Sequence, residues 1–164
     1  MAERARIRGA QRGSASDLEA LFRDHWPRAY RAAYLVVHDA AAAEDIAQEA
    51  FLAAVRNLDS FDRSRPFGPW LHRIAVNRAI DWTRARKLRG EVEERDVEVV
   101  PSEGTDDRVL PALAALDPEQ RAVIVLRYLL EYTPGEIAEL LELPRGTVNS
   151  RLRRGLDKLK EGLA

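Results

Sequence analysis

Thr133-Pro-Gly-Glu-Ile-Ala-Glu-Leu-Leu-Glu-Leu-Pro-Arg-Gly-Thr-Val-Asn-Ser-Arg-Leu-Arg-Arg154 carries two helix signatures separated by a turn. Thr133 is a good N-cap, Pro134 suits the first helical position, and Glu136 completes a capping box. A short helix is therefore expected to start there and run through Leu141. Glu142-Leu-Pro-Arg-Gly breaks it, and a second helix starts near Arg145. At about 100° per residue, Val148, Leu152, Leu156 and Leu159 share one side of that helix, while Thr147, Ser150, Arg153 and Arg154 lie mostly opposite. This is the pattern of a helix-turn-helix: one face packs and the other is free to enter a DNA groove.

Outward from this motif, charge divides the chain of 164 residues. The net charge is only −1, yet eight Lys/Arg stand against Asp81 alone between Arg63 and Arg89, and six stand against Asp157 alone between Arg145 and Lys160. Between these segments, Glu91 to Asp107 holds eight acids and one base, Arg95. That distribution predicts two polyanion-facing surfaces joined by an acidic, solvated tether. There is no cysteine, one methionine and three histidines, which excludes a disulfide framework and leaves little for a metal cluster. No apolar run approaches the roughly 20 residues that span a bilayer, so a cytoplasmic protein without membrane insertion is expected.

The apolar spacing is helical throughout, and no stretch alternates convincingly with period two. Residues 1–15 are small, basic and poor in apolar periodicity, and are expected to be disordered. Ser16, with Glu19 three positions on, caps a first helix to about Val37, with Pro27 a local kink. Asp39 opens an Ala-rich second helix to about Asn57, and Pro66 or Pro69 a third to about Lys87. Beyond the tether, Asp107 to Leu116 and then Asp117-Pro-Glu-Gln onward to Leu130 predict two more helices ahead of the helix-turn-helix. The expected fold is all-α: a helical domain over 16–89, an acidic flexible linker over 90–106, and a helix-turn-helix domain over 107–164.

Two segments of the first domain carry chemistry. On the second helix, Ala47, Ala50, Phe51 and Ala54 make a buried stripe, and Asp45, Gln48, Glu49, Leu52 and Arg56 lie opposite. Leu52, an apolar residue ringed by carboxylates and an amide, has the composition of a small protein-binding patch; the alternative is a solvated face with one stray leucine. On the third helix, Phe67, Leu71, Ile74, Ala75 and Trp82 share a side, while Arg73, Asn77 and Arg84 recur on another with Trp70 at the boundary. Cations follow phosphates, aromatic faces stack on bases and an amide reads a base edge, so this helix and the loop Phe61-Asp-Arg-Ser-Arg-Pro66 suit single-stranded nucleic acid. The competing reading makes the tryptophans core and the arginines a solubilising face, and it is preferred for Trp82.

Four segments in order, Ala43-Glu-Asp-Ile-Ala-Gln-Glu-Ala-Phe51, Phe67-Gly-Pro-Trp-Leu-His-Arg-Ile-Ala-Val-Asn77, Leu116-Asp-Pro-Glu-Gln-Arg121 and Gly146-Thr-Val-Asn-Ser-Arg-Leu152, resemble bacterial RNA polymerase sigma factors of the extracytoplasmic-function (ECF) group of the sigma-70 family. The resemblance covers nearly everything from about Leu18 onward. It implies a sigma-2-like three-helix bundle that binds core polymerase and the promoter −10 element, and a sigma-4-like domain that reads the −35 element. Position by position, it implies core polymerase contact, at the clamp of the β′ subunit, through Asp45, Gln48, Glu49 and Leu52. It implies −10 contacts at Asn77, Arg73, Arg84 and the loop holding Phe61, Arg63, Ser64 and Arg65, with Phe61 expected to be partly buried rather than on a base. It implies −35 contacts at Asn149, Ser150, Arg153 and Arg154, with Arg127 on a phosphate. Asn149 stands where many relatives carry a long cation, and Arg153 where a bulkier or apolar residue is often found, so the −35 sequence is not transferable from a relative. The resemblance also implies β and β′ subunits as partners, an anti-sigma protein as a further one, and no cofactor.

Two other functional classes compete with this reading. An enzyme is disfavoured because His25, His38 and His72 lie on separate elements or helix ends and there is no Gly-rich phosphate loop. A dimeric repressor would use the same helix-turn-helix but has no need of the acidic Asp45/Glu49 face or the aromatic, basic third helix.

Overall fold

The computed structural model describes residues 2–90 and 108–164, and among these every regular element is helical. The helices are α1 (Ala2–Gln11), α2 (Ala15–Val37), α3 (Ala40–Arg56), α4 (Phe67–Leu88), α5 (Val109–Ala114), α6 (Pro118–Ile124), α7 (Pro134–Leu141) and α8 (Arg145–Leu163). A 3-10 turn spans Leu58–Ser60, and one π-helical turn, Val125–Leu129, extends α6. The expected acidic linker over 90–106 and the expected helix start at Asp107 lie, Gly90 apart, outside the described residues.

Local chemistry accounts for the helix ends. Asp39 caps α3 by accepting from the Ala42 amide at 3.0 Å. Thr133 and Glu136 form the expected reciprocal capping box, at 3.2 Å and 3.0 Å. Glu142 closes α7 in the left-handed region at φ 56°, which lets the Leu143 amide bond back to the Ala138 carbonyl at 3.0 Å. The chain thereby turns sharply into α8.

The first expectation to fall is the disordered N-terminus. Residues 2–11 form α1, with Ile7 fully buried, so the first domain is a four-helix rather than a three-helix unit. Helix α1 stops at Gly13, whose φ of 92° is open to glycine, and Ser14 rather than Ser16 caps α2 by accepting from the Asp17 amide at 3.3 Å. The helical stripe of α1 is Glu3, Arg6, Ile7 and Ala10, spaced at i, i+3, i+4 and i+7. Two of its four members are charged, and they are satisfied by a hydrogen bond with His25 and an ion pair with Asp24 on α2. Hydrophobic periodicity cannot register such a stripe.

The two domains, expected to be joined by a flexible linker, also touch one another. One apolar cluster gathers Ile7, Leu21, Phe51, Leu58, Phe67 and Leu71 within the first domain. The other is shared: Val36, Val76 and Ile80 from α2 and α4 pack in one core with Leu113, Leu126, Ile137 and Val148 from the second. Arg121 ties the halves together, donating to the carbonyls of Val36, Leu113 (2.9 Å), Ala114 (3.0 Å) and Leu116 (2.9 Å). Burial, opposed by the Asp117 charge, lowers its pKa only to about 10, so it stays charged at neutral pH. Across the same interface His72 Nδ1 and the Tyr132 hydroxyl are hydrogen-bonded at 2.8 Å. The domains on either side of the expected flexible linker are thus docked.

Candidate protein and nucleic-acid interfaces

The Ala-rich inner face of α3 lets it lie close against α2 and α4, and this sends Asp45, Gln48, Glu49 and Leu52 outward. All four are exposed, Leu52 by 53%. Glu49 pairs with Arg78 of α4 at 3.1 Å, which steadies the carboxylate beside the apolar anchor. Phe22, an exposed residue of α2, meets Phe51 edge-on at 5.0 Å.

The loop after α3 is preorganised by its own side chains. Asp62 accepts from the Ser64 amide at 2.9 Å and the Ser64 hydroxyl at 2.7 Å, and these bonds, hydroxyl first, hold its carboxyl below the ordinary range. Arg63, Ser64 and Arg65 project into solvent. Phe61 is partly buried, stacked on Trp70 with ring centroids 4.5 Å apart, as expected of a residue that supports the loop from beneath. Trp82 is half-buried, with the Arg86 guanidinium 5.1 Å over its ring.

On α4, Asn77 is exposed, but Arg73 and Arg84 are engaged with the second domain. Arg73 pairs with Glu142 at 2.6 Å, and Arg84 donates to Glu119 from Nε at 2.7 Å. Burial works against ionisation of Glu119, yet the Arg84 hydrogen bond, its own backbone amide and the charges of Arg84 and Arg151 outweigh it, so its pKa is lowered. A groove of about 1000 Å³ separates Phe61, Trp70 and Arg73 on one wall from Tyr132, Glu136 and Glu139 on the other. Acidic residues of the second domain therefore face and pair with the cations of α4. Glu119 and Glu142 were not singled out from the sequence, because surface acids carry no mark of their long-range partners.

The third surface is the outer face of α8. Val148 and Leu152 are buried as the helical wheel required, with Leu156 and Leu159 half-buried, while Asn149, Arg153 and Arg154 are exposed and Ser150 partly so. Gly155 allows close packing on α6: a Cβ there would come within 2.7 Å of the Ile124 side chain. Arg127, in the π turn, is partly exposed, 5.8 Å over the exposed Tyr128 ring, and reaches the Tyr132 carbonyl at 3.4 Å. The three surfaces lie on different elements, and among the described residues no cluster of His, Cys, Asp and Glu could hold a metal ion.

Residues 21–89 match the family model for sigma-70 region 2, and residues 106–159 match that for sigma-70 region 4. An ECF RNA polymerase sigma factor of Bacillus subtilis, SigW, is 36% identical across 96% of this chain and 95% of its own length. The ECF sigma factor SigL of Mycobacterium tuberculosis is 34% identical across 95% and 94%. The chain belongs to the ECF group of sigma-70 family sigma factors.

As a sigma factor it binds core RNA polymerase and directs promoter recognition and transcription initiation. CnrH, solved in complex with the cytosolic domain of CnrY, superposes with a TM-score of 0.76 at 30% identity, over 99% of this chain and 97% of that one. The sigma factor RpoE from Bartonella quintana, solved with the anti-sigma factor NepR, shares the fold with a TM-score of 0.79 at 24% identity, over 91% and 98% of the two chains. No helix among the described residues of this sigma factor is long and apolar enough to cross a membrane.

Proposed function

We propose that the α3 face, the loop with α4, and the α8 face are respectively the core-polymerase, −10 and −35 surfaces of this sigma factor. The observation that carries the reading is the exposure of Leu52 among Asp45, Gln48 and Glu49 on a helix whose other face is fully packed. A half-exposed leucine with a charged rim fits a protein partner better than it fits solvent. In this reading Asn77 and the Arg63 to Arg65 tip of the loop take a base of the opened strand, and Asn149, Ser150, Arg153 and Arg154 enter the −35 major groove. Arg127 contacts a phosphate at its entrance.

The chain acts stoichiometrically in the cytoplasm, and core polymerase performs the phosphodiester chemistry. Arg73 and Arg84 reach promoter DNA only after Glu142 and Glu119 withdraw, so productive binding includes separation of α4 from the second domain. Until then the free protein binds DNA weakly, because the acids already neutralise these cations. An anti-sigma protein is expected to act on this chain as a protein partner, the cytosolic domain of CnrY, sits on CnrH. The test is run-off transcription by purified core polymerase with and without the full chain on a promoter library. Transcription selective for one −10 and −35 pair supports the reading, and failure to bind core polymerase at micromolar concentration refutes it.

A further inference from the structure

We propose that α1 is a brace for the 58–67 loop and that Gln11 is its positioning residue, an inference that rests on reading this loop as the −10 contact. Helix α1 touches the loop at both ends. At one end the Gln11 amide nitrogen donates to the Leu58 carbonyl at 2.8 Å and the Phe61 carbonyl at 3.3 Å, bracketing the 3-10 turn. At the other, Glu3 accepts from the Phe67 amide at 3.5 Å and from His25 Nε2 at 2.6 Å. Pro66 precedes α4 without a side-chain cap, so Glu3 supplies from another helix a partner for one of the unsatisfied first-turn amides of α4.

The spacing suits the task. Residues 3 and 11 are about 12 Å apart along a helix rising about 1.5 Å per residue. Midway, Ile7 is fully buried in the cluster that contains both Leu58 and Phe67, so the brace is pinned to the core between its two contacts. The loop tip from Asp62 to Pro66 is exposed, and its internal Asp62–Ser64 bonds shape the tip without tying it to the body of the domain. A loop already held in its binding shape pays less ordering entropy when a base is captured, and a loop freed at Leu58 and Phe61 pays more.

The experiment uses the full-length chain with core polymerase and compares Gln11→Met, which keeps size but removes both donors, with Gln11→Lys, which restores donors at similar reach. Amide hydrogen exchange and promoter-library transcription are measured, with Ser64→Ala and Arg63→Ala as variants of the loop itself. Gln11→Met is expected to raise exchange at Ser60 and Phe61 and to lower −10 discrimination, each about 2- to 10-fold, the scale of one net hydrogen bond. Core affinity, −35 preference and exchange in α3 should stay put, and Gln11→Lys should recover both effects. If the loop variants change −10 preference and Gln11→Met does not, the brace is refuted and the loop reading stands. If the loop variants leave −10 preference intact, the loop reading falls and takes the brace's role in promoter recognition with it, whatever the exchange shows.

Discussion

Leu52→Glu tests the polymerase-docking surface most directly. Complete burial of a leucine side chain is worth roughly 1.5–3 kcal/mol. With 53% of Leu52 still exposed in the free chain, a partner that covers it gains about half of that, roughly 0.8–1.6 kcal/mol. The glutamate forfeits this gain and adds the cost of desolvating a charge beside Asp45 and Glu49, so the total loss is about 1–3 kcal/mol, or roughly 5- to 150-fold in Kd. Stability should barely move, because the replaced surface faces solvent and the difference in helix propensity is a few tenths of a kcal/mol. Core polymerase affinity by biolayer interferometry and thermal melting are measured on the same preparations. Undiminished affinity with an unchanged melting temperature would refute the docking assignment, and a fall in melting temperature that accounts for the lost affinity would make Leu52 a structural residue.

Asn77→Ala should retain core binding and −35 preference but reduce open-complex formation, and pre-melting the −10 region should not restore base discrimination; permanganate footprinting that shows normal opening and preference would make the residue idle. Arg154→Ala should cost about 1–3 kcal/mol with relaxed preference at one −35 position, whereas Arg127→Ala should weaken all sequences alike and flatten the salt dependence. A promoter-library profile for Arg154→Ala that is only scaled down would demote that residue to a phosphate contact. Acid should loosen the docked domains: burial first, then the charges of His25 and Arg28, lower the His72 pKa to about 4, and burial with Arg121 lowers that of His38 to about 3. Both groups have ordinary values of 6.5, so their contribution is complete above pH 6.5 and is lost as pH falls toward 4, by at most about 1.4 kcal/mol per pH unit for each. Melting temperatures between pH 8 and 5 should fall on the acid side, less steeply in His72→Gln, and a flat profile would count against burial of neutral histidines.

Local signals in the chain were enough for most of the architecture. Thr133, Pro134 and Glu136 specify a helix start through bonds among neighbouring residues, and the 3.6-residue spacing of Val148 and Leu152 specifies which face of α8 is covered. The face of α3 that carries Leu52 was readable for the same reason: alanines at 47, 50 and 54 leave only one side that can pack. Tertiary structure alone decided what lies far apart in sequence. Nothing local distinguishes a surface acid that pairs with Arg84 or Arg73 from one that meets water, yet Glu119 and Glu142 determine whether those arginines are available. Val36, Val76 and Ile80 announce an apolar face but not the domain that covers it, since burial is non-directional and any apolar partner satisfies it. Helix α1 escaped notice because its buried stripe is half charged, and only the proximity of Asp24, His25 and the Leu58 and Phe61 carbonyls turns those polar residues into contacts.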